Sequence, residues 1–169
     1  MSLPNHKQEF HDHLMSSFQS DWGKDSSDGQ YPAGDKNKYN ISAEYRRVQP
    51  REFGNMIKNR LNASRGVIVL SHITSNYTPK HMLGKKYDVL YSTIILFGTT
   101  ALKQNQISGE DRIVYEMERD IMQTLMDHPV HLTDNPKISL TVNDMENEYT
   151  DDDIDFNRLR LNFTAQFKD

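Results

Sequence analysis

The sequence predicts an α+β fold: a mixed or mainly antiparallel β-sheet with helices packed mainly on one face, as a single domain over residues 1–169. Three observations carry this. Tyr87 to Phe97 is a β-branched and aromatic run, alternating at first and then continuously apolar, as in a strand entering the centre of a sheet. From Ile113 onward, Val114, Met117, Ile121, Leu125 and Met126 recur every three or four positions, while Glu116, Glu118, Arg119, Asp120 and Gln123 fill the other face of a helix. Near the end, Leu159, Leu161, Phe163, Ala165 and Phe167 alternate strictly with Arg158, Arg160, Asn162, Thr164 and Gln166, so one strand face is core and the other is wet or covered by a partner.

The remaining elements follow in chain order. Phe10, Leu14, Met15 and Phe18 have helical spacing within residues 5–20, with His6, Lys7, Glu9, Asp12, His13 and Gln19 around the rest of the wheel. Residues 20–38 hold Gly23, Gly29, Pro32 and Gly34 among polar residues and read as a long polar loop. Trp22 and Tyr31 lie in it; an aromatic in such a setting either packs back on the body or anchors a partner. Tyr39 to Tyr45 alternates, continuing to Val48, as a half-buried or edge strand with a basic outer face. Pro50 can open a helix that places Phe53, Met56, Ile57 and Leu61 on one side, although Gly54 weakens it. Gly66 to Ile73 is a second interior strand. Residues 74–86, with Lys80, His81, Lys85 and Lys86, form a basic arm, either an exposed loop or a hairpin feeding the strand from Tyr87.

Gly98-Thr99-Thr100 breaks that strand, and Ser108-Gly109-Glu110-Asp111 supplies the N-cap and first-turn carboxylates of the long helix. His128-Pro129 ends it, because the residue before proline is pushed out of the α region. Val130 to Leu132 reads as a short strand and Lys137 to Val142 as a clearer one. The segment 144–155 is an acidic loop, with seven carboxylates and no cation.

Composition narrows the function classes. The chain is 36% apolar with a mean hydropathy of -0.79, unusually polar for a self-sufficient monomer. Long exposed loops and large polar subunit interfaces both account for such a balance. A net charge of -4 gives no overall electrostatic case for sequence-specific nucleic-acid binding or for an anionic membrane. With no cysteine, disulfides, thiolate metal sites and cysteine nucleophiles are excluded. No stretch approaches the roughly 18 apolar residues of a membrane-spanning helix. Residues Met1 to Lys7 lack the apolar core of a signal peptide, so a cytosol-like setting is expected. The Asn-x-Ser/Thr triplets at Asn40, Asn62, Asn76 and Asn162 then carry no weight as glycosylation sites.

Candidate chemistry is sparse. His6, His11 and His13 are the nearest approach to a metal cluster, but residues two apart on a helix diverge, and solvated histidines are the simpler reading. Asp151-Asp152-Asp153-Ile154-Asp155 lacks the glycine and spaced glutamate of a calcium loop and reads as a solvated acidic loop, or as one that meets basic loops of a neighbouring subunit. Phosphate-binding glycine loops and the G-x-S-x-G elbow do not occur. Ser71 and His72, adjacent on a strand, would point to opposite faces and so could not act as nucleophile and base. Arg46, Arg47, Arg51, Lys58, Arg60 and Arg65 form a loose basic cluster with few interleaved aromatics, which reads as a solvated or subunit-facing patch ahead of a nucleic-acid surface. No cofactor and no catalytic residue is expected.

The order of elements resembles the tail terminators and related neck proteins of long-tailed bacteriophages. It comprises an N-terminal amphipathic helix, a polar loop, strands with a helix between them, the strand Val89 to Phe97, the helix from Asp111-Arg112-Ile113-Val114-Tyr115-Glu116-Met117 through Leu125, an acidic insertion and the closing strand Leu159 to Phe167. The resemblance covers the chain from about residue 40 onward and is one of element pattern. It implies a virion structural protein, assembled in the host cytoplasm, forming a homo-oligomeric ring of six copies. That ring caps the tail tube protein, docks the head-tail connector protein and, in a contractile tail, touches the sheath. It brings no catalytic residues. Trp22, Tyr31, Lys80, Lys85, Lys86, Asp151, Asp152, Asp153, Arg158 and Arg160 are the candidate contact residues. Another head- or tail-completion subunit would look similar, and a small hydrolase using His72 is the alternative of a different class.

Overall fold

The structure, a computed structural model, describes residues 5–23, 38–79, 87–106, 111–145 and 152–167. Helix α1 (His6–Trp22) opens on Asn5, whose side chain accepts from the Gln8 amide at 3.2 Å, and runs beyond the expected end so that Trp22 is helical. Strand β1 (Tyr39–Ala43), helix α2 (Pro50–Arg60) and strand β2 (Gly66–Leu70) form a β-α-β unit, and its two strands are parallel. Pro50 occupies the first helical turn, where its missing N–H costs nothing. Strand β3 (Thr74–Pro79) pairs antiparallel with the first half of β4 (Tyr87–Thr100), so the basic arm begins as a hairpin. Helices α3 (Ala101–Gln106) and α4 (Ile113–Asp127) then lead to the hairpin of β5 (Lys137–Met145) and β6 (Ile154–Gln166).

The six strands make one mixed sheet in the order β1-β2-β4-β6-β5, with β3 beside β4. Its spine is the antiparallel β4–β6 ladder from Asp88↔Gln166 to Thr100↔Ile154. This ladder explains why Gly98 does not end β4 as expected. Gly98 is paired with Val67 on one side and Phe156 on the other, and strand contacts on both edges override its weak intrinsic preference. A glycine is needed there: a Cβ would lie 2.5 Å from the Phe156 Cβ and 2.6 Å from the Asp155 carbonyl oxygen.

Helices α1 and α4 cover one sheet face. Phe10, Leu14 and Phe18 of α1 and Ile113, Val114, Met117 and Ile121 of α4 bury against Tyr39, Ile41, Ile68, Leu70, Tyr91, Phe97, Leu161 and Phe163. The Phe10 and Phe163 rings stack at 4.6 Å between centroids. Each fully buried large apolar side chain is worth about 1.5–3 kcal/mol in transfer terms, so this layer dominates the stability. On the second face α2 covers one end, packing Phe53, Met56 and Ile57 on Val67, Val69, Leu96 and Phe156. The rest of that face, around Leu90, Ser92, Arg160 and Asn162, is not covered by any helix among the described residues.

Several local expectations are corrected. β1 stops at Ala43, so Arg46 and Arg47 lie in the connection to α2. Residues 130–132 are not a strand; Leu132 is a buried plug, and Thr133 is tied to α1 by its amide and hydroxyl donating to Glu9 at 2.9 and 3.0 Å. Of the proposed cap of α4, residues 108–110 lie outside the described residues. Arg112 stands at the N-cap without a side-chain capping bond, and the Gln104 carboxamide accepts from the Ile113 amide at 2.7 Å. Helix α3, unforeseen in the sequence, thereby positions the start of α4. The first histidines are not solvated: His6 and His11 are buried, with the His6 ring stacked on Phe167 at 4.9 Å and donating to the Thr133 carbonyl at 3.1 Å.

Candidate functional site

The uncovered part of the second face forms a groove of about 540 Å³, floored by β4 and β6 and walled by the β2–β3 turn and the β1–α2 connection. Strand parity explains the floor. Leu159, Leu161 and Phe163 go to the main core, so Arg158, Arg160 and Asn162 emerge on the opposite face. Ser92 is the cross-strand partner of Asn162, and its hydroxyl donates to the Asn162 carboxamide oxygen at 2.7 Å. Arg47 overhangs from the β1–α2 connection.

The groove continues past Arg160 and Asn162 into a second recess that adds Asn143, Asp144, Met145 and Arg158, with Arg47 shared by both. In the first part, every charged lining residue among the described ones is a cation, and neither Arg47 nor Arg160 is ion-paired. His72 lines the same part, and its Nδ1 is buried without a hydrogen-bond partner. Ser71 lines it too. β2 has ended at Leu70, so the expected divergence of Ser71 and His72 to opposite strand faces does not occur. Ser71 is nonetheless fixed by its backbone, which donates to Ile94 and accepts from the Thr93 hydroxyl at 3.0 Å each.

Most of the basic cluster is neutralised. Arg46 pairs with Glu52 at 2.5 Å, Arg60 with Glu44 at 2.9 Å and Arg65 with Glu116 at 2.7 Å. Arg47 stands apart from them in the groove. Asp153 is 3.8 Å from Lys58 across an exposed gap, Asp152 is exposed, and Asp155 forms a bidentate pair with Arg112 at the head of α4. Tyr31, Lys80, Lys85, Lys86 and Asp151 lie outside the described residues.

Trp22 packs back on the body. Its indole N–H donates to the Thr124 hydroxyl at 2.5 Å, its ring lies 6.0 Å from that of Tyr39, and Lys38 Nζ sits 5.3 Å from its centroid. Around it is a polar network that sequence reasoning missed. Lys38 bridges Glu116 at 2.7 Å and Asp120 at 3.0 Å, the Tyr39 hydroxyl donates to Asp120, and Thr124 and His128 both donate to Asp21. Burial, and then the Asp120 hydrogen bond, push the Tyr39 phenol well above its ordinary range. The available signal was helical phase: Asp120 and Thr124 follow Met117 at the spacing of the buried stripe. These pairs link α1, β1 and α4 and read as docking contacts. No group of three His, Asp or Glu able to hold a metal occurs among the described residues. None of their helices is long and apolar enough to cross a membrane.

Sequence comparison leaves the site to be read from its own geometry: the chain matches no known family, and no curated protein matches it.

Proposed function

We propose that this chain is a virion structural subunit of a long-tailed bacteriophage, a tail terminator. In this reading six copies form a ring that caps the finished tail tube and presents a docking surface to the head connector, with sheath contacts in a contractile tail. The observation that carries it is the asymmetry of cover on the sheet. Helices α1 and α4 cover one face, while α2 covers only one end of the other and leaves a groove whose charged lining residues are cations, suited to a charged partner surface. The low apolar content fits a subunit whose polar surface is interface.

Light scattering over a range of concentrations tests the ring, with an expected mass near six times the 19.7 kDa subunit. Negative-stain images with tail tubes should show the ring seated on tube ends. A stable monomer that never decorates tubes would remove this reading. Binding to connectors without binding to tubes would instead indicate a head-completion subunit. The hydrolase alternative draws on His72 and Ser71 sharing the groove. A base needs an orienting partner, and His72 Nδ1 has none among the described residues. A hydrolytic activity lost in His72→Ala would be required to revive it.

A further inference from the structure

We propose that a cavity at the N-terminus of α1 binds a phosphate group, free or at the end of a larger molecule. It encloses about 260 Å³ between the first turns of α1, Tyr45 of the β1–α2 connection, and His72 and Ile73 of the β2–β3 turn. That is below the roughly 300–1,000 Å³ that drug-sized ligands fill, so the occupant is a small ion or a single terminal group. The site is independent of whether copies of the chain form a ring.

The surroundings set the sign of the ligand. Lys7 lines the cavity, and no carboxylate does so among the described residues. The nearby acids of α1 are engaged elsewhere: Glu9 accepts from Thr133, and Asp12 accepts from the Gln8 carboxamide at 2.7 Å. Asn5, the N-cap, satisfies the Gln8 amide with its side chain at 3.2 Å and the Glu9 amide with its carbonyl at 3.0 Å. The His6 and Lys7 amides are left at the positive end of the helix without an intrahelical acceptor.

His11 points to a ligand independently of the helix end. It lies one turn beyond Lys7 on the same face of α1, and both line the cavity. The residue is only 9% exposed, and its ring is held 5.2 Å from the Tyr45 ring. The rings of His6, His13 and His128 each have a hydrogen-bond partner, whereas His11 has none among the described residues. A buried imidazole without a partner is costly, and an anion in the cavity accepts the missing bond.

The donors also select among anions. A guanidinium fork matches the two coplanar oxygens of a carboxylate, and no arginine lines this cavity among the described residues. Instead a point charge at Lys7, an imidazole N–H, the Tyr45 hydroxyl and helix amides come from separate elements, as suits a tetrahedral ion with several acceptor oxygens.

Calorimetric titration of the full chain with inorganic phosphate at fixed ionic strength tests the site. Saturable binding of one phosphate per chain is expected, weakened about tenfold by Lys7→Gln and by His11→Phe, each of which removes a charge-assisted bond. Lys103→Gln, on α3 beyond the opposite end of β4, should bind like wild type. In phosphate-free buffer His11→Phe should melt no earlier than wild type, because it removes the unpartnered polar group, and added phosphate should no longer raise its melting temperature. If that variant folds poorly, Lys7→Gln at an exposed position decides alone. Glycerol phosphate titrated in parallel separates the two sources: equal affinity supports a terminal group as the occupant, and binding of the free ion alone supports the ion. No saturable heat at millimolar phosphate, equal weakening by Lys7→Gln and Lys103→Gln, or acetate bound as tightly as phosphate would overturn the site and leave the ring reading standing.

Discussion

The Tyr39 hydroxyl donates to Asp120 Oδ2 at 2.6 Å, and both side chains are buried where β1 meets α4. Lys38 Nζ reaches the same oxygen at 3.0 Å, so Asp120 holds the first residue of β1 and the one before it. Asp120→Ala leaves the buried phenol without its acceptor and Lys38 with Glu116 alone, and each hydrogen bond lost to the carboxylate costs about 1.5–3 kcal/mol. Tyr39→Phe removes one hydrogen bond and costs about 1–2 kcal/mol. Urea unfolding checks both, with the midpoint falling in that order and the slope unchanged. Equal losses would mean that the phenol, and not the lysine, dominates the pair.

Glu116 and Glu118, on successive faces of α4, give opposite pH dependences. Burial would raise the Glu116 pKa, but hydrogen bonds from Lys38 and Arg65 outweigh it and hold the group below its ordinary 4.5. Its contribution is therefore complete above pH 4.5 and is lost as pH falls through the lower folded-state value. Glu118 is raised by burial and then by the Asp144 charge, so its ionised form opposes folding at neutral pH, and the penalty disappears in acid. Glu116→Gln should lower stability at pH 7 and flatten the acid limb. Glu118→Gln should raise stability at pH 7, an advantage that fades as pH falls, so that its acid limb is steeper than that of the wild type. Thermal melts across pH 3–7 distinguish the two signs.

Two glycines differ in what a methyl group would strike. At Gly98 the obstacles are backbone and Cβ atoms of β6, at 2.5–2.8 Å, which move only if the central ladder opens. At Gly66 the nearest atoms are Sδ and Cε of Met117, at 2.5 and 2.6 Å, the far end of a flexible side chain. Gly98→Ala should thus exceed the usual overpacking cost of about 1–3 kcal/mol, while Gly66→Ala falls within it. Guanidinium unfolding gives the order, and the reverse order would show that Met117 is the more rigid wall.

How far the fold was legible depended on whether neighbours in sequence were also neighbours in space. The alternation of Leu159 to Phe167 announced β6 because from Leu159 onward the strand buries one face in the main core, whereas Ile154 and Phe156 at its start go to the opposite side. The helix from Ile113 was readable for the same reason, apart from Asp120 and Thr124, whose polarity hid their place on the buried stripe. His6 misled because its cover is Phe167, from the far end of the chain. Helix α3 misled because its cap is one hydroxyl: Thr100 Oγ accepts from the Lys103 amide at 3.1 Å. The groove was half legible. Arg158 and Arg160 stood out as the polar phase of β6, but Arg47 and His72 reach it through the β1–α2 and β2–β3 connections, which only the sheet order brings together.

Trp22 is the single tryptophan, and its two roles as packing residue or partner anchor separate cleanly. Its indole donates to Thr124, and Thr124 donates onward to Asp21 at 3.0 Å, closing α1 on α4. Trp22→Phe keeps most of the apolar contact and loses the indole hydrogen bond, leaving the buried Thr124 oxygen one donor short. The expected cost is about 1–2 kcal/mol in folding, with no change in assembly mass at saturating protein. Tryptophan emission of the wild type should shift red in the same transition that circular dichroism reports, because the ring leaves Tyr39 and Lys38 as α1 undocks from α4. If Trp22→Phe melts like wild type yet fails to assemble, the ring faces a partner instead, and the α1–α4 seam must be held by Phe10, Leu14 and Phe18 without it.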